Sequence, residues 1–179
     1  MEIVFRALQA RDLPRIAATR GGPAWKGGDP RWNRYLTEQS QGLRDVLLAD
    51  TGGAIVAYGS LAWVSQNPSF RKAGIPEIQD LVVAEAYRSA GLGTRMIRAL
   101  EERARAAGHL RVGIGVGLYR DYGAAQRLYS RLGYILDGTG VSYKNVSVEP
   151  GSQVNVDDDL VIWMLRDLDE PKAKDKGHG

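Results

Sequence analysis

The most constraining stretch of this sequence lies at its middle. A strand-like run, Glu77-Ile-Gln-Asp-Leu-Val-Val83, passes through an Arg88-Ser-Ala-Gly91-Leu-Gly93 turn into an amphipathic helix. Met96, Ile97, Leu100, Ala104 and Ala107 recur at helical spacing, Glu101 and Arg105 are spaced as an i,i+4 ion pair, and Gly108 is placed to stop the helix as its C′ residue. Leu110, Val112, Ile114 and Val116 then alternate as a second strand. A strand that turns through glycines into a helix gathers backbone N–H groups at the helix N-terminus, where the unpaired donors and the dipole attract phosphate. A glycine turn of this kind is also a common tight connection, so the pattern needs support from elsewhere in the chain.

The rest of the chain reads as further short elements of one α/β unit. Residues 3–8 read as a first strand, with Asp12 as N-cap of a short helix reaching about Thr19. Gly21 to Pro30 is irregular, and Arg31 to Ser40 forms a second short helix. Val46–Ala49 and Ala54–Val64 flank a Gly52-Gly53 turn as a hairpin, and Ser65 to Pro76 reads as a loop. Ala124, Ala125, Leu128, Tyr129 and Leu132 form another helix stripe closed by Gly133, and Tyr134–Leu136 and Leu160–Leu165 are the last strands. The 179 residues suit a single domain, taken as 1–168, followed by a disordered polar tail at 169–179.

Composition removes whole classes of chemistry. There is no cysteine, hence no disulfide, thiolate metal site or thiol nucleophile. Two histidines and no Gly-x-Ser-x-Gly run leave histidine metal sites and a serine triad poorly supplied, so no metal is expected. A net charge of +3, without an interleaved basic and aromatic stripe, argues against nucleic acid as partner. The first twenty residues lack a signal-like apolar block and no run is long enough to span a bilayer, so a cytoplasmic protein without membrane attachment is expected. A dinucleotide fingerprint wants a small residue where Met96 stands, and a P-loop wants Gly-Lys-Ser/Thr, which does not occur.

Arg88-x-x-Gly91-x-Gly93 after a strand, followed some thirty residues later by Ala125-Gln-Arg-Leu-Tyr129-Ser-Arg-Leu-Gly-Tyr134, resembles the Gcn5-related N-acetyltransferases (GNAT). The resemblance runs through nearly the whole domain and is strongest over residues 77–136. It implies a mixed, mostly antiparallel sheet flanked by helices, in which strands 77–83 and 110–116 are parallel and splay apart to admit the pantetheine of acetyl-CoA. It implies transfer of the acetyl group to an amine by direct attack in a ternary complex.

The same likeness carries roles to individual positions. Backbone groups of Leu81, Val82 and Val83 would bond the pantetheine, with the Leu81 N–H facing the thioester oxygen as charge develops there. Arg88, Ser89, Ala90, Gly91, Leu92, Gly93 and Thr94 would wrap the pyrophosphate, mostly through backbone N–H groups; the Arg88 side chain is either a phosphate ligand or a solvated turn residue. Glu77, eleven residues before Arg88, stands where members with a strand glutamate as general base carry it. Asp80 is the rival base, although strict alternation points it to the opposite face unless a bulge intervenes. Tyr129 matches the tyrosine that protonates the departing thiolate. Tyr122 stands where the family usually has, seven residues earlier, an asparagine that contacts the pantetheine; here the chain departs from the pattern at that cofactor contact, beside Ala125. Arg120 or Arg127 would lie near the 3′-phosphate or adenine, or be solvated.

The acceptor is the least legible part. Trp25, Trp32 and Tyr35 either wall an acceptor pocket or staple a short helix. Asp157, Asp158 and Asp159 read as a turn rather than as an amine trap. A small-molecule primary amine is the first expectation, a peptide or protein amino group the second, and a CoA-binding sensor without turnover the alternative from another class. Dimers are common in folds of this kind, so a homodimer is compatible with the reading.

Overall fold

The computed structural model describes residues 2–18, 29–88 and 90–168. The predicted tail, Trp25 and Ser89 lie outside the described residues. One sheet organises the chain: β1 (Val4–Ala7), β2 (Arg44–Asp50), β3 (Ile55–Ala62), β4 (Glu77–Val83), β5 (Arg111–Gly117), β6 (Ile135–Tyr143), β7 (Val146–Ser147) and β8 (Leu160–Asp167). Their spatial order is β1-β2-β3-β4-β5-β8-β6-β7. Every neighbouring pair is antiparallel except β4 with β5. The helices are α1 (Leu13–Ala18), α2 (Pro30–Ser40), α3 (Pro68–Ala73), α4 (Leu92–Ala106) and α5 (Gly123–Arg131). None of the described helices is long and apolar enough to cross a membrane.

The sheet buries both faces, so β2 and β3 are buried almost throughout. On one face the α4 stripe of Met96, Ile97, Leu100 and Ala104 packs on Leu47, Ala57, Ile78, Val112, Ile114 and Val116. On the other, Ile16 of α1 and Trp32 and Tyr35 of α2 pack on Val46, Leu48 and Tyr58. Each fully buried large apolar side chain contributes on the order of 1.5–3 kcal/mol relative to exposure. Gly108 ends α4 as expected, with φ +86° and the His109 N–H bonded to the Ala104 carbonyl.

Two irregularities in β4 shape everything that follows. First, β4 is bulged against β3: Ser60 pairs with Gln79 and Tyr58 with Val82, so Asp80 and Leu81 together oppose Gly59. Asp80 takes the extra position with φ +54°. The bulge breaks the alternation, so that Ile78, Leu81 and Val83 face α4 while Val82 joins the core on the α2 side. Second, β4 and β5 share only two registered pairs, Glu77 with Gly113 and Ile78 with Ile114. Beyond them β5 is laddered only to β8, and the two parallel strands separate as the resemblance implied.

Four local expectations need correction. Ser65–Pro76 contains α3, started by Asn67, whose side chain accepts from the Ser69 and Phe70 N–H groups, with Pro68 in the first turn. Asp12 does not cap α1; it sits in a preceding 3₁₀ turn, fully buried, bonded by Arg6 and the Gln9 N–H. Glu101 does not pair with Arg105, because it lies on the buried side of α4, while Arg105 bonds Glu102 and the Leu168 carbonyl. The strand read as Tyr134–Leu136 continues to Tyr143 past a second bulge at Asp137–Gly140, where Gly138 and Gly140 have positive φ.

Candidate active site

Where β4 and β5 part, a cleft of about 700 Å³ opens. One wall is Glu77 to Val82 of β4; the other is Ile114, Gly115 and Gly117 of β5 with Val161 and Trp163 of β8. Tyr122, Ala125 and Tyr129 close it from the α5 side, and Arg34 and Arg44 stand on the α2 side. Part of the site is packed by a device in the β5 sequence, Arg-Val-Gly-Ile-Gly-Val-Gly. A Cβ at Gly113 would lie 2.2 Å from the Phe70 ring, at Gly115 2.9 Å from Trp163, and at Gly117 2.3 Å from Tyr122. Three glycines on one face thus admit three rings. The middle ring is fixed by the Trp163 indole N–H, which donates to Ser142 at 2.6 Å, and by an edge contact with Phe70.

Both candidate bases reach this cleft, and the bulge is the reason. Glu77 is 5% exposed and accepts from the Ser65 hydroxyl at 2.5 Å and the Gln66 N–H at 3.3 Å. Burial pushes its carboxyl above the ordinary value, opposed by the donors of Ser65 and Gln66, by the neighbouring Gln79 amide and by the charge of Arg44. Asp80 is exposed and turned to the same side, where it accepts from the Tyr35 hydroxyl. The Tyr35 phenol is held well above its usual range by burial first and by Asp80 second, so it stays a donor.

On the opposite side of the cleft Tyr129 is 7% exposed, and its hydroxyl has no hydrogen-bond partner among the described residues. Burial pushes its phenol up to about 12, so it keeps its proton at neutral pH. Tyr122 lies with its ring over Gly117 and donates to Asp158 at 2.9 Å; Tyr119 donates to the same carboxylate oxygen. Burial first, then Asp158, raise the Tyr122 phenol as well. Asp157 accepts from Tyr143 and from the Asp159 N–H, which makes residues 157–159 a turn, as read, although Asp158 also borders the cleft.

The glycine turn lies at the far end of β4. Gly91 is the N-cap of α4 with φ +75°, and a Cβ there would meet nothing within 4 Å, leaving open space beside the first N–H groups of the helix. Gly93 faces Leu128 of α5 and Val83 of β4. Leu92 points into the core, Ala90 is exposed, and Thr94 is half-buried. The Arg88 guanidinium bonds the Val83 carbonyl at 3.2 Å, where it stiffens the turn. Splayed strand edge, open glycine turn and unpaired helix N–H groups together fit an extended phosphate-bearing cofactor.

The acceptor-wall expectation needs revision for two residues. Trp32 and Tyr35 are 3% and 0% exposed and do not line the cleft; Trp32 packs edge-on against both Tyr35 and Tyr58. Tyr35 touches the site through its hydroxyl on Asp80 and through its ring, which lies beneath the guanidinium groups of Arg34 and Arg44. Sequence reasoning missed Arg44, Gln66, Gln79 and Trp163, all of which line the cleft. For Trp163 the signal was present, since alternating glycines on β5 call for large rings across that face; for Arg44, at the start of a strand, there was none.

The family model described as "Acetyltransferase (GNAT) family" matches residues 15–134, and the chain belongs to this family of acetyl-CoA-dependent N-acetyltransferases. No curated protein matches the sequence significantly. Among solved structures it is similar to yncA of Salmonella typhimurium, determined with its cofactor acetyl-CoA, at 22% identity and TM-score 0.62, covering 98% of this chain and 99% of that one. It is similar to a ribosomal-protein-alanine N-acetyltransferase from Brucella melitensis (20% identity, TM-score 0.63, 92% and 99% covered). A spermidine N-acetyltransferase chimera from Vibrio cholerae and hSSAT matches at 16% identity and TM-score 0.64, covering 94% and 96%. The last two proteins are named for unlike acceptors, a protein and a polyamine, so the shared fold does not select one.

Proposed function

We propose that this protein transfers the acetyl group of acetyl-CoA directly to a small-molecule primary amine, with Glu77 as general base and Tyr129 as proton donor to the leaving sulfur. The observation that carries the reading is the cleft itself: it is bordered by a buried carboxylate of raised proton affinity on β4 and by an unpartnered, protonated phenol on α5. When bound, acetyl-CoA supplies an activated acyl carbon and a good leaving group. The chain's residues do the rest. The edge of β4 beyond Ile78, which has no strand partner on the β5 side, offers its backbone to pantetheine, and the Leu81 N–H offers a donor to the thioester oxygen. Gly91 and the first N–H groups of α4 hold the pyrophosphate. Glu77 removes the proton of the ammonium form, so that a free amine attacks; Tyr129 gives its proton to sulfur as the C–S bond breaks, and the phenolate is reprotonated as the nitrogen sheds its second proton to become the amide.

Asp80 keeps a place as the alternative base, on the observation that its carboxylate is exposed on the same side of the sheet and is fixed by Tyr35. Thiol release from acetyl-CoA, followed across a panel of small amines, amino acids and peptides, tests the function. Acceptor-dependent release with small amines is expected. Release only with peptides would move the acceptor class, and cofactor binding without release to any amine would make the protein a sensor.

A further inference from the structure

Arg44 opens β2 and stands in one row of the sheet with Glu77. Arg44 pairs with Ala62 of β3 and Ala62 with Glu77 of β4, so the two side chains share a face of the sheet. Arg44 is only 6% exposed, yet it borders the cleft. A guanidinium carries five N–H groups and accepts nothing. Three of them are used: Nε donates to Glu38 of α2 at 2.5 Å, and Nη1 to the Ser60 hydroxyl at 2.7 Å and to the Gln79 Oε1 at 2.9 Å. The two on Nη2 bond nothing among the described residues. They are not sealed in either, because among the described residues only the Trp32 indole N–H is both shut from solvent and unbonded. What meets Nη2 is therefore whatever fills the cleft.

Arg34 stands one turn before Glu38 on α2 and borders the cleft as well. It is 60% exposed, 3.6 Å from the Glu38 carboxylate, with its guanidinium over the Tyr35 ring. Two guanidinium groups thus share one glutamate, which leaves this end of the cleft with a positive charge to place. The other charges nearby have partners. Arg31 is turned to Asp29 and to the Tyr58 hydroxyl, Asp80 accepts from Tyr35, and Asp158 at the α5 end accepts from Tyr119 and Tyr122.

We propose that the acceptor is an amino acid, or a small amine that carries a carboxylate in the same way, and that Arg44 Nη2 together with Arg34 receives this carboxylate while the amine faces Glu77. The proposal rests on the reading of the protein as an acetyltransferase of small amines with Glu77 as base, and it names the class of amine. Charge along this side of the cleft runs from cationic on α2 and β2 to anionic on β4, an order that complements a zwitterion. A planar fork held rigid by three bonds, with two hydrogens to spare, suits one carboxylate oxygen, and Arg34 is placed for the other. A polyamine has no acceptor to offer either arginine.

Thiol release with acetyl-CoA saturating tests this in wild type, Arg44→Lys and Arg34→Gln, using L-amino acids, the carboxamide of each, and spermidine. The quantity read is kcat/KM for an amino acid divided by kcat/KM for its own amide. Acid and amide differ in amine basicity, but equally for all three proteins, so a change in the ratio reports the carboxylate subsite. Arg44→Lys keeps the charge and has three hydrogens for the three present partners, which leaves none for the cleft. Wild type is expected to acetylate amino acids. The ratio should fall by roughly tenfold to hundredfold in Arg44→Lys and by roughly threefold to tenfold in Arg34→Gln, mainly through KM for the acid. Arg34 is exposed, so Arg34→Gln decides by the same ratio if Arg44→Lys does not fold. A ratio unchanged in both variants, or turnover of amides or spermidine without turnover of amino acids, would overturn the subsite and leave acetyl transfer to small amines standing. No release with any small amine would remove the proposed function and the subsite with it.

Discussion

Two glutamates are buried among the described residues, and their surroundings are opposite in kind. Glu101 of α4, 1% exposed, accepts from Arg98 at 2.9 Å, from Arg166 of β8 at 3.1 Å and from the Tyr134 hydroxyl at 2.9 Å. Glu77 of β4, 5% exposed, accepts from a serine hydroxyl and a backbone N–H and borders an open cleft. A carboxylate bonded by two guanidinium groups and a phenol is spent on tying elements together. One solvated by neutral donors in a dry wall keeps an appetite for protons and can pass them on. Burial alone does not separate a structural acid from a catalytic one; the charge of its partners does.

The comparison can be broken most severely at Glu101. Glu101→Ala leaves two guanidinium groups and a phenol without their shared acceptor, and is expected to cost about 3–5 kcal/mol of stability, read as a lower midpoint in urea unfolding. A loss below about 1 kcal/mol would mean that the pairing is not structural. Gly113→Ala, beneath Glu77, places a methyl 2.2 Å from the buried Phe70 ring and should cost about 1–3 kcal/mol by the same measurement. Tyr129→Phe keeps the ring and deletes the hydroxyl, so kcat should fall about tenfold or more with little change in Tm; unchanged turnover under chemistry-limited conditions would return Tyr129 to the core.

The smallest expected effect concerns pH and stability. Glu77 binds its proton more tightly in the folded chain than its ordinary value of 4.5. Its contribution to stability is therefore complete below that value and is lost as pH rises through the raised folded value. Glu77→Gln carries no such loss, so the difference in Tm, variant minus wild type, should grow from about pH 4.5 upward; a difference that shrinks over that range would contradict the raised proton affinity.

Much of this was legible in the sequence because the elements around the site are patterned. The α4 stripe, the alternation of β5 and the glycines at 91, 108 and 133 read directly as what they form. What escaped the reading has physical reasons. In α3 only Phe70 among six residues points into the core, so there was no stripe, although Asn67-Pro68 carried the start signal. The bulge that turns Asp80 toward Glu77 leaves no mark that alternation can see, because a non-glycine residue holds the positive φ. Glu101 and Arg105 have ideal helical spacing, yet tertiary partners on β8 and beside β6 outbid the local pair. Arg44 lies thirty-three residues before Glu77, and only the sheet brings the two together.

The central claim is that Glu77, buried without a cation bonded to it, is the proton acceptor of the transfer. Its most direct test is Glu77→Gln, with kcat/KM for an accepted amine and thermal stability measured on the same preparations. The account predicts a fall of roughly 10²- to 10⁴-fold at neutral pH, partly recovered at high pH where free amine is abundant, with stability equal to or above wild type. Wild-type activity in a stable variant, or an activity loss that follows a loss of folding, would contradict it.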